Sequence, residues 1–137
     1  MPYVAQVPVR FADVDWARII YYPRFLHLLH VAFEEMFERH VGIPYAVLLG
    51  ERNLGFPAVH LECDFKVPMR FGELLQVAIS VPAVGRTSAE FLHRVTVNGP
   101  GDLRAESRIK RVAVDMKTLR PLPVPDDLRE SFARIRN

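Results

Sequence analysis

Residues 11–40, FADVDWARIIYYPRFLHLLHVAFEEMFERH, decide the fold of this chain. From Pro23 to about His40, apolar residues recur at helical spacing on one broad arc, and the polar residues share the other arc. The apolar arc consists of Phe25, Leu28, Leu29, Ala32, Phe33, Met36 and Phe37. This pattern predicts one long, half-buried helix that ends at Gly42, a residue type suited to a C-terminal cap.

The segments on either side of this helix have the composition and alternation of strands. Residues 3–11 predict a short first strand, in which Pro8 marks an edge or a bulge. After a turn-rich connection, four further strands are predicted over residues 59–66, 74–84, 88–98 and 103–115. Short turns between the later strands imply antiparallel neighbours. The proline-rich tail predicts a capped helical turn or helix after Pro125.

One helix and five strands can bury the apolar helical face only if the sheet curls around the helix. We therefore predict a single α+β domain over residues 1–137, with a long central helix wrapped by a five-stranded antiparallel sheet. The far edge of this sheet would carry unpaired strand groups, which are a template for pairing with a second copy. A homodimer with a continued sheet is expected.

Composition narrows the classes of partner. The chain has 18 basic and 16 acidic side chains, a near balance that argues against bulk electrostatic binding to nucleic acid. No apolar run approaches the roughly 18–20 residues that span a bilayer, and the start of the chain lacks a signal-peptide pattern. The single cysteine, Cys63, excludes an intramolecular disulfide and fits a reducing compartment. We expect a soluble, cytoplasmic protein without a membrane partner.

The loop ahead of the helix combines two acidic residues with a helix N-terminus. Asp13 and Asp15 precede a helix that is expected to begin near Tyr22 and Pro23. A carboxylate among aromatic residues is costly unless it is paired or used. The free N–H groups of a helix start favour an oxyanion. Carboxylate and oxyanion site together are suited to acyl chemistry.

Four separate segments carry a family resemblance. The loop follows an F-x-D-x-D-x-x-G-x-x-Y type of pattern, and a strand, a proline and a Gly-Glu pair recur at residues 65–75. The turn and strand GRTSAEF covers residues 85–91, and the tail reads LRPLPVPDDLR. In this order, and over almost its whole length, the chain resembles the hotdog-fold acyl-CoA thioesterases of the 4-hydroxybenzoyl-CoA thioesterase family.

The resemblance implies hydrolysis of a small or medium acyl or aroyl thioester to the free acid and coenzyme A. It assigns the catalytic carboxylate to Asp15, as nucleophile or general base, and the oxyanion donor to the backbone N–H of Tyr22. Asp13 is expected to hold the loop through hydrogen bonds. Coenzyme A enters as part of the substrate, so no separate cofactor and no metal are expected. In similar proteins, dimers commonly pair into tetramers.

The chain departs from the family pattern at two loop positions. Trp16 stands where proline or alanine is usual, and Arg18 stands where glycine is common. If that position needs φ > 0, the arginine is strained there, and it is available to pair with a substrate carboxylate or with Asp13. The substrate and coenzyme A contacts that we predict are Trp16, Arg18, Tyr21, Phe25, Arg70 and Arg86. The aromatic members suggest an apolar acyl pocket, but they suit the core equally.

Two other functions are open on the same fold. The altered loop is compatible with a non-catalytic acyl-CoA-binding or sensing module, which would bind tightly without turnover. A hydratase or dehydratase would need a histidine soon after Asp15, but the first one, His27, is already inside the helix.

Several polar residues elsewhere have alternative interpretations. The spacing of His27, His30 and Glu34 can hold a divalent metal, but a fourth ligand is missing from the pattern, and a wet or subunit-facing surface is preferred. Glu34 or Glu35 is an alternative catalytic carboxylate, with a solvated side chain as the preferred interpretation. His93 alternates with apolar neighbours and is expected to be a hydrogen-bonded core or interface histidine.

Overall fold

A computed structural model describes residues 1–137 as one layer of sheet wrapped around a long helix. The elements are β1 (Tyr3–Pro8), α1 (Tyr22–Met36), α2 (Tyr45–Gly50), β2 (Leu54–Gly55), β3 (Ala58–Phe65), β4 (Leu74–Val84), β5 (Ser88–Thr96), β6 (Leu103–Val112), β7 (Val114–Asp115) and α3 (Asp126–Ala133). The antiparallel sheet has the order β1-β4-β5-β6-β3, and β2 pairs with β7. The predicted α+β architecture is confirmed, and it is the hotdog arrangement.

The helix α1 buries the arc that its sequence predicts. All seven residues of that arc are buried. Phe33 and Phe37 pack edge-to-face at 5.0 Å between ring centres, and Phe33 also contacts Phe91 on the sheet at 5.3 Å. Such aromatic pairs add to the stabilisation from apolar burial. After Met36 a single π-helical turn leads to Gly42, which has φ 86° and ends the segment as expected.

Several predicted boundaries were wrong. The first strand ends at Pro8, because the chain then turns through a short 3₁₀ segment, Phe11–Asp13. The turn-rich connection contains α2, which at six residues is too short to show a helical period. The last predicted strand is two strands: at Ala113 the backbone N–H leaves the sheet ladder and donates to Thr87 O at 2.8 Å. The C-terminal helix is confirmed as α3.

His93 lies fully inside the core, and the expected hydrogen bonds to its ring are absent. It faces α1 from β5, and neither ring nitrogen has a hydrogen-bond partner. Burial, followed by the nearby Arg111 guanidinium, lowers the pKa of His93 to about 4. His93 is therefore neutral at pH 7. Arg111 is itself buried, with its guanidinium 4.0 Å above the Phe33 ring and one N–H donated to Phe56 O at 2.9 Å.

The two edge strands of the sheet are β1 and β3. Nearly every residue of β3 is exposed, including Val59, Leu61 and Phe65, whose apolar side chains lie on the face of the sheet that packs on α1. A long, exposed, apolar edge is the kind of strand that pairs with another chain. No helix in the chain has both the length and the apolar character needed to cross a bilayer.

Candidate active site

The loop between β1 and α1 is held by backbone hydrogen bonds that fix the position of Asp15. The Asp15 N–H donates to Ile19 O at 3.1 Å, and the Arg18 N–H donates to Asp15 O at 2.9 Å. Val14 and Ile20 form an isolated bridge below this turn. The loop is therefore a tight hairpin, and Asp15 is the first residue of its turn.

The Asp15 carboxylate is exposed, and only one of its two oxygens accepts a hydrogen bond from the protein. One oxygen, Oδ1, accepts the Ala17 N–H at 2.8 Å, an arrangement common for aspartate in turns. The second oxygen has no hydrogen-bond partner in the protein, and the carboxylate forms no ion pair. The carboxylate is thus oriented by one bond and keeps one oxygen available to a ligand.

Asp13 is the structural member of the acidic pair. Its side chain is buried and accepts the Arg10 N–H at 2.8 Å and two N–H groups of Arg24, Nε at 3.0 Å and Nη2 at 2.9 Å. Its expected role in holding the loop is confirmed. The alternative in which Arg18 pairs with Asp13 was wrong, because Arg24 on α1 already occupies that carboxylate.

Arg18 has φ 66°, the left-handed conformation that glycine adopts easily and other residues rarely do. The family pattern has glycine at this position, and the structure shows why. The arginine keeps the left-handed backbone at a cost of about 1 kcal/mol, and its guanidinium has no carboxylate partner.

An open cavity of about 790 Å³ adjoins this loop. It brings together four predicted site residues: Asp15, Trp16, Arg18 and Arg70. The remaining walls are Phe11, Val14 and Phe71. The cavity is thus lined by one aspartate, two arginines and several aromatic residues.

Phe71 was missed by the sequence reasoning, and Phe11 had been noted only as part of the loop pattern. Their rings pack edge-to-face at 5.9 Å, and both are more than half exposed. The signal at Phe71 was a large aromatic residue directly before Gly72, inside a turn. An aromatic residue in an exposed turn has little packing to gain, so it suggests a ligand contact.

Tyr22 opens onto a neighbouring, smaller cavity of about 270 Å³ that Ile19 and Phe65 also line. It is the first residue of α1, and its N–H donates to no acceptor in the chain. Pro23 follows and has no N–H to offer. Within one chain, Asp15 and the Tyr22 residue therefore border adjacent cavities on two sides of the same loop.

Three predicted contact residues lie elsewhere. Tyr21 precedes α1 and stacks edge-to-face on the Tyr22 ring at 5.6 Å. Phe25 is fully buried in the core, where it packs against Phe65 at 5.0 Å. Arg86 lies in the turn between β4 and β5. The cavity residues Arg70 and Phe71 precede the start of β4, whereas Arg86 follows its end, and the 11 residues of that strand span roughly 36 Å.

The polar face of α1 carries local pairs. His30 Nε2 lies 3.0 Å from a Glu34 carboxylate oxygen, and Glu35 pairs with Arg39 at 3.4 Å. Burial, followed by a hydrogen bond with Glu35, raises the pKa of Tyr3 to about 12. No three His, Cys, Asp or Glu side chains converge in a way that would hold a metal ion.

Known proteins that resemble this chain in sequence or structure include thioesterases and acyl-CoA hydrolases. The model of a family described as the thioesterase-like superfamily matches residues 9–132. A 1,4-dihydroxy-2-naphthoyl-CoA hydrolase of Synechococcus sp. (strain WH7803) is 31% identical over 124 residues, covering 86% of this chain and 80% of that protein. The structure of a gentisyl-coenzyme A thioesterase is 28% identical with TM-score 0.82, covering 93% of this chain and 99% of that one. A thioesterase-superfamily structure from Jannaschia sp. CCS1, 23% identical, shares the fold with TM-score 0.91 over 99% of this chain and 94% of that one.

Proposed function

Because the chain belongs to the thioesterase-like superfamily and is an acyl-CoA thioesterase, we propose that it hydrolyses an aroyl-CoA at the Asp15 loop. The observation that carries the proposal is that Asp15, one of whose carboxylate oxygens has no hydrogen-bond partner in the protein, lines a cavity with aromatic walls. A thioester has a good leaving group, so its hydrolysis needs a nucleophile or base and an oxyanion site rather than a strong acid.

Asp15 has two routes to the same products. As a nucleophile, its oxygen attacks the carbonyl carbon, the C–S bond breaks, coenzyme A leaves as the thiolate, and water then hydrolyses the anhydride and restores the carboxylate. As a general base, Asp15 takes a proton from a water whose oxygen attacks the same carbon, and that proton passes to the departing thiolate. In both routes negative charge develops on the carbonyl oxygen.

Tyr22 is our candidate for stabilising that charge. Its N–H has no acceptor in the chain and lies at the first position of a 15-residue helix, where the helix dipole favours an anion. A fixed N–H donor of this kind typically contributes 10²–10³-fold to the rate. The role requires the thioester to pass from the Asp15 cavity towards Tyr22, around the tip of the loop.

We infer an aromatic acyl group from two kinds of support. The cavity walls include the Phe11, Trp16 and Phe71 rings, and flat rings prefer to pack against aromatic side chains. The similar proteins named above act on 1,4-dihydroxy-2-naphthoyl-CoA and gentisyl-CoA, both of which carry aromatic acyl groups.

We propose a dimer through β3, because it would bring Arg86 of the partner subunit to this site. Ala58, at the start of β3, lies at the same end of the sheet as the turn that contains Arg86, whereas Phe65 lies at the Tyr22 end. Pairing of two β3 strands about a two-fold axis is antiparallel and reverses these ends. Arg86 of the partner subunit would then approach the Tyr22 cavity, where a guanidinium can bind a coenzyme A phosphate.

If the dimer forms through β3, a charged substitution on β3 should weaken it, and the same substitution on β1 should not. Leu61→Lys is expected to raise the dimer dissociation constant at least about 100-fold, because it removes apolar contact and sets like charges across the two-fold axis. Val4→Lys, at a similarly exposed position on the other edge strand, is the matched control and should leave the dimer intact. Sedimentation velocity measures both, and dissociation by Val4→Lys alone would move the interface to β1.

The substrate class is tested by thiol release from acetyl-, palmitoyl-, benzoyl-, 4-hydroxybenzoyl- and phenylacetyl-CoA. We expect benzoyl or 4-hydroxybenzoyl-CoA to exceed acetyl- and palmitoyl-CoA in kcat/KM by at least about tenfold, since shape and contact area in an apolar pocket discriminate on that scale. Faster release from palmitoyl-CoA would contradict an aroyl pocket. Tight binding of benzoyl-CoA with no thiol release from any thioester would favour the acyl-CoA-binding module instead.

A further inference from the structure

The cavity beside Asp15 carries more positive than negative charge. Arg18 and Arg70 both line it, neither guanidinium has a carboxylate partner, and Asp15 is the only acidic group in its walls. Unpaired cations that share a partly enclosed, apolar cavity attract an anionic ligand. With one carboxylate and two guanidinium groups, the cavity walls carry a net charge of +1, which one negative charge on a ligand would neutralise.

Arg18 is also held in a conformation that its residue type disfavours. Its φ of 66° is left-handed, no interaction within the chain uses its side chain, and glycine would fit the same backbone without strain. Strain of this kind persists where the surrounding structure or a function maintains it. No hydrogen bond or ion pair within the chain uses the guanidinium, so it is available to a ligand in the cavity.

The position of Arg18 determines which part of the substrate it can reach. Its backbone N–H bonds to Asp15 O, so the two residues are a single turn apart, within about 7 Å between Cα atoms. The thioester carbonyl must contact the Asp15 carboxylate to react. The whole pantetheine arm separates that carbonyl from the coenzyme A diphosphate, whereas a substituent on an acyl ring is only a few bonds away.

We propose that Arg18 binds a carboxylate on the acyl group, so that the preferred substrates are coenzyme A thioesters of aromatic acids that bear a second carboxyl group. A guanidinium and a carboxylate form a charge-assisted, two-point contact that suits this recognition. Arg70, on the same cavity, adds to the positive potential. The inference rests on the proposed thioesterase site at Asp15 and specifies its substrate.

The test compares four thioesters: benzoyl and para-carboxybenzoyl, each on coenzyme A and on N-acetylcysteamine, which has no phosphate. The quantity measured is the ratio of kcat/KM for carboxybenzoyl over benzoyl. We expect a wild-type ratio of at least about ten on both carriers, and a fall of at least about tenfold in Arg18→Gly. Glycine suits φ 66°, so this variant is expected to fold at least as well as wild type.

The matched control is Leu119→Gly, which relieves a second left-handed position, φ 59°, outside the cavity. Its ratio should equal that of wild type. An unchanged ratio in Arg18→Gly, or a wild-type ratio near one, would overturn the inference. So would a loss that affects both coenzyme A thioesters equally and neither N-acetylcysteamine thioester, because Arg18 would then bind a phosphate. No thiol release from any of the four would instead refute the proposed thioesterase site.

Discussion

The Asp15→Asn variant is expected to release thiol from its best aroyl-CoA substrate about 10³-fold more slowly than wild type, in keeping with removal of a nucleophile or general base. The asparagine carbonyl can still accept the Ala17 N–H, so the loop should keep its shape. The amide lacks the negative charge that either route requires. The loss should appear in kcat, and the dissociation constant for the product acid and coenzyme A should change little.

Asp126→Asn is the matched control for this experiment. It makes the same substitution at an exposed aspartate in the first turn of α3, away from the cavity, and should retain wild-type turnover. If Asp15→Asn kept more than about a tenth of the wild-type kcat, the reaction would not depend on this carboxylate. The alternative carboxylates on α1, Glu34 and Glu35, would then be the next variants to measure.

A single turnover in ¹⁸O-labelled water tests for the nucleophilic route in the wild-type enzyme. If Asp15 is the nucleophile, water attacks the anhydride in the second step, and label is retained in the Asp15 carboxylate when it attacks the aspartyl carbon. If Asp15 is the base, the label enters only the released acid. Label in the loop peptide, detected by mass spectrometry, therefore establishes the nucleophilic route, and the inactive Asp15→Asn protein provides the background.

The central helix was predictable because its signal is long and local. Seven apolar positions over some four turns define one face, and Gly42 marks the end with a residue type that tolerates φ > 0. The short helix α2 and the two-residue pair β2 and β7 carry no such repeat, so only tertiary contacts decide them.

The candidate site was predictable only in part, for the same reason. The acidic loop identified Asp15, and the glycine expected at position 18 indicated the left-handed turn. The cavity wall depends on long-range pairing: the Ile20 N–H donates to Met69 O at 2.8 Å and thereby brings Arg70 and Phe71 beside the loop. No local pattern records that contact.

The second large effect, on stability, is expected from substitution of Arg104, which holds the cavity wall in place. Arg104 is buried at the start of β6 and holds three groups: it binds Glu73 at 2.8 and 2.9 Å, Asp102 at 2.9 and 3.0 Å, and Pro68 O at 2.7 Å. Glu73 in turn accepts the Arg70 N–H. The guanidinium thus fixes both ends of the segment that carries Arg70 and Phe71.

Arg104→Met is therefore expected to lower the free energy of unfolding by about 3 kcal/mol, because it leaves two carboxylates close together without their cation. For a chain of this size the melting temperature should fall by roughly 10 °C. Arg108→Met is the control on the same strand: its pair with Glu90 at 2.9 Å is exposed, so its loss should change the melting temperature little. Equal effects of the two variants would contradict a special role for the buried cluster.

The effect of Arg104→Met should also depend on pH in a defined direction. The hydrogen bond from Arg104 holds the pKa of Glu73 below its ordinary value of 4.5. A carboxyl group whose pKa is lowered by folding contributes stability above its unfolded pKa, and that contribution is lost as the pH falls through its folded pKa. The difference between wild type and Arg104→Met should therefore be largest above about pH 5 and should shrink in more acidic solution. Urea unfolding at a series of pH values measures it, and a difference that grew with acidity would show that the pair does not stabilise the wall in this way.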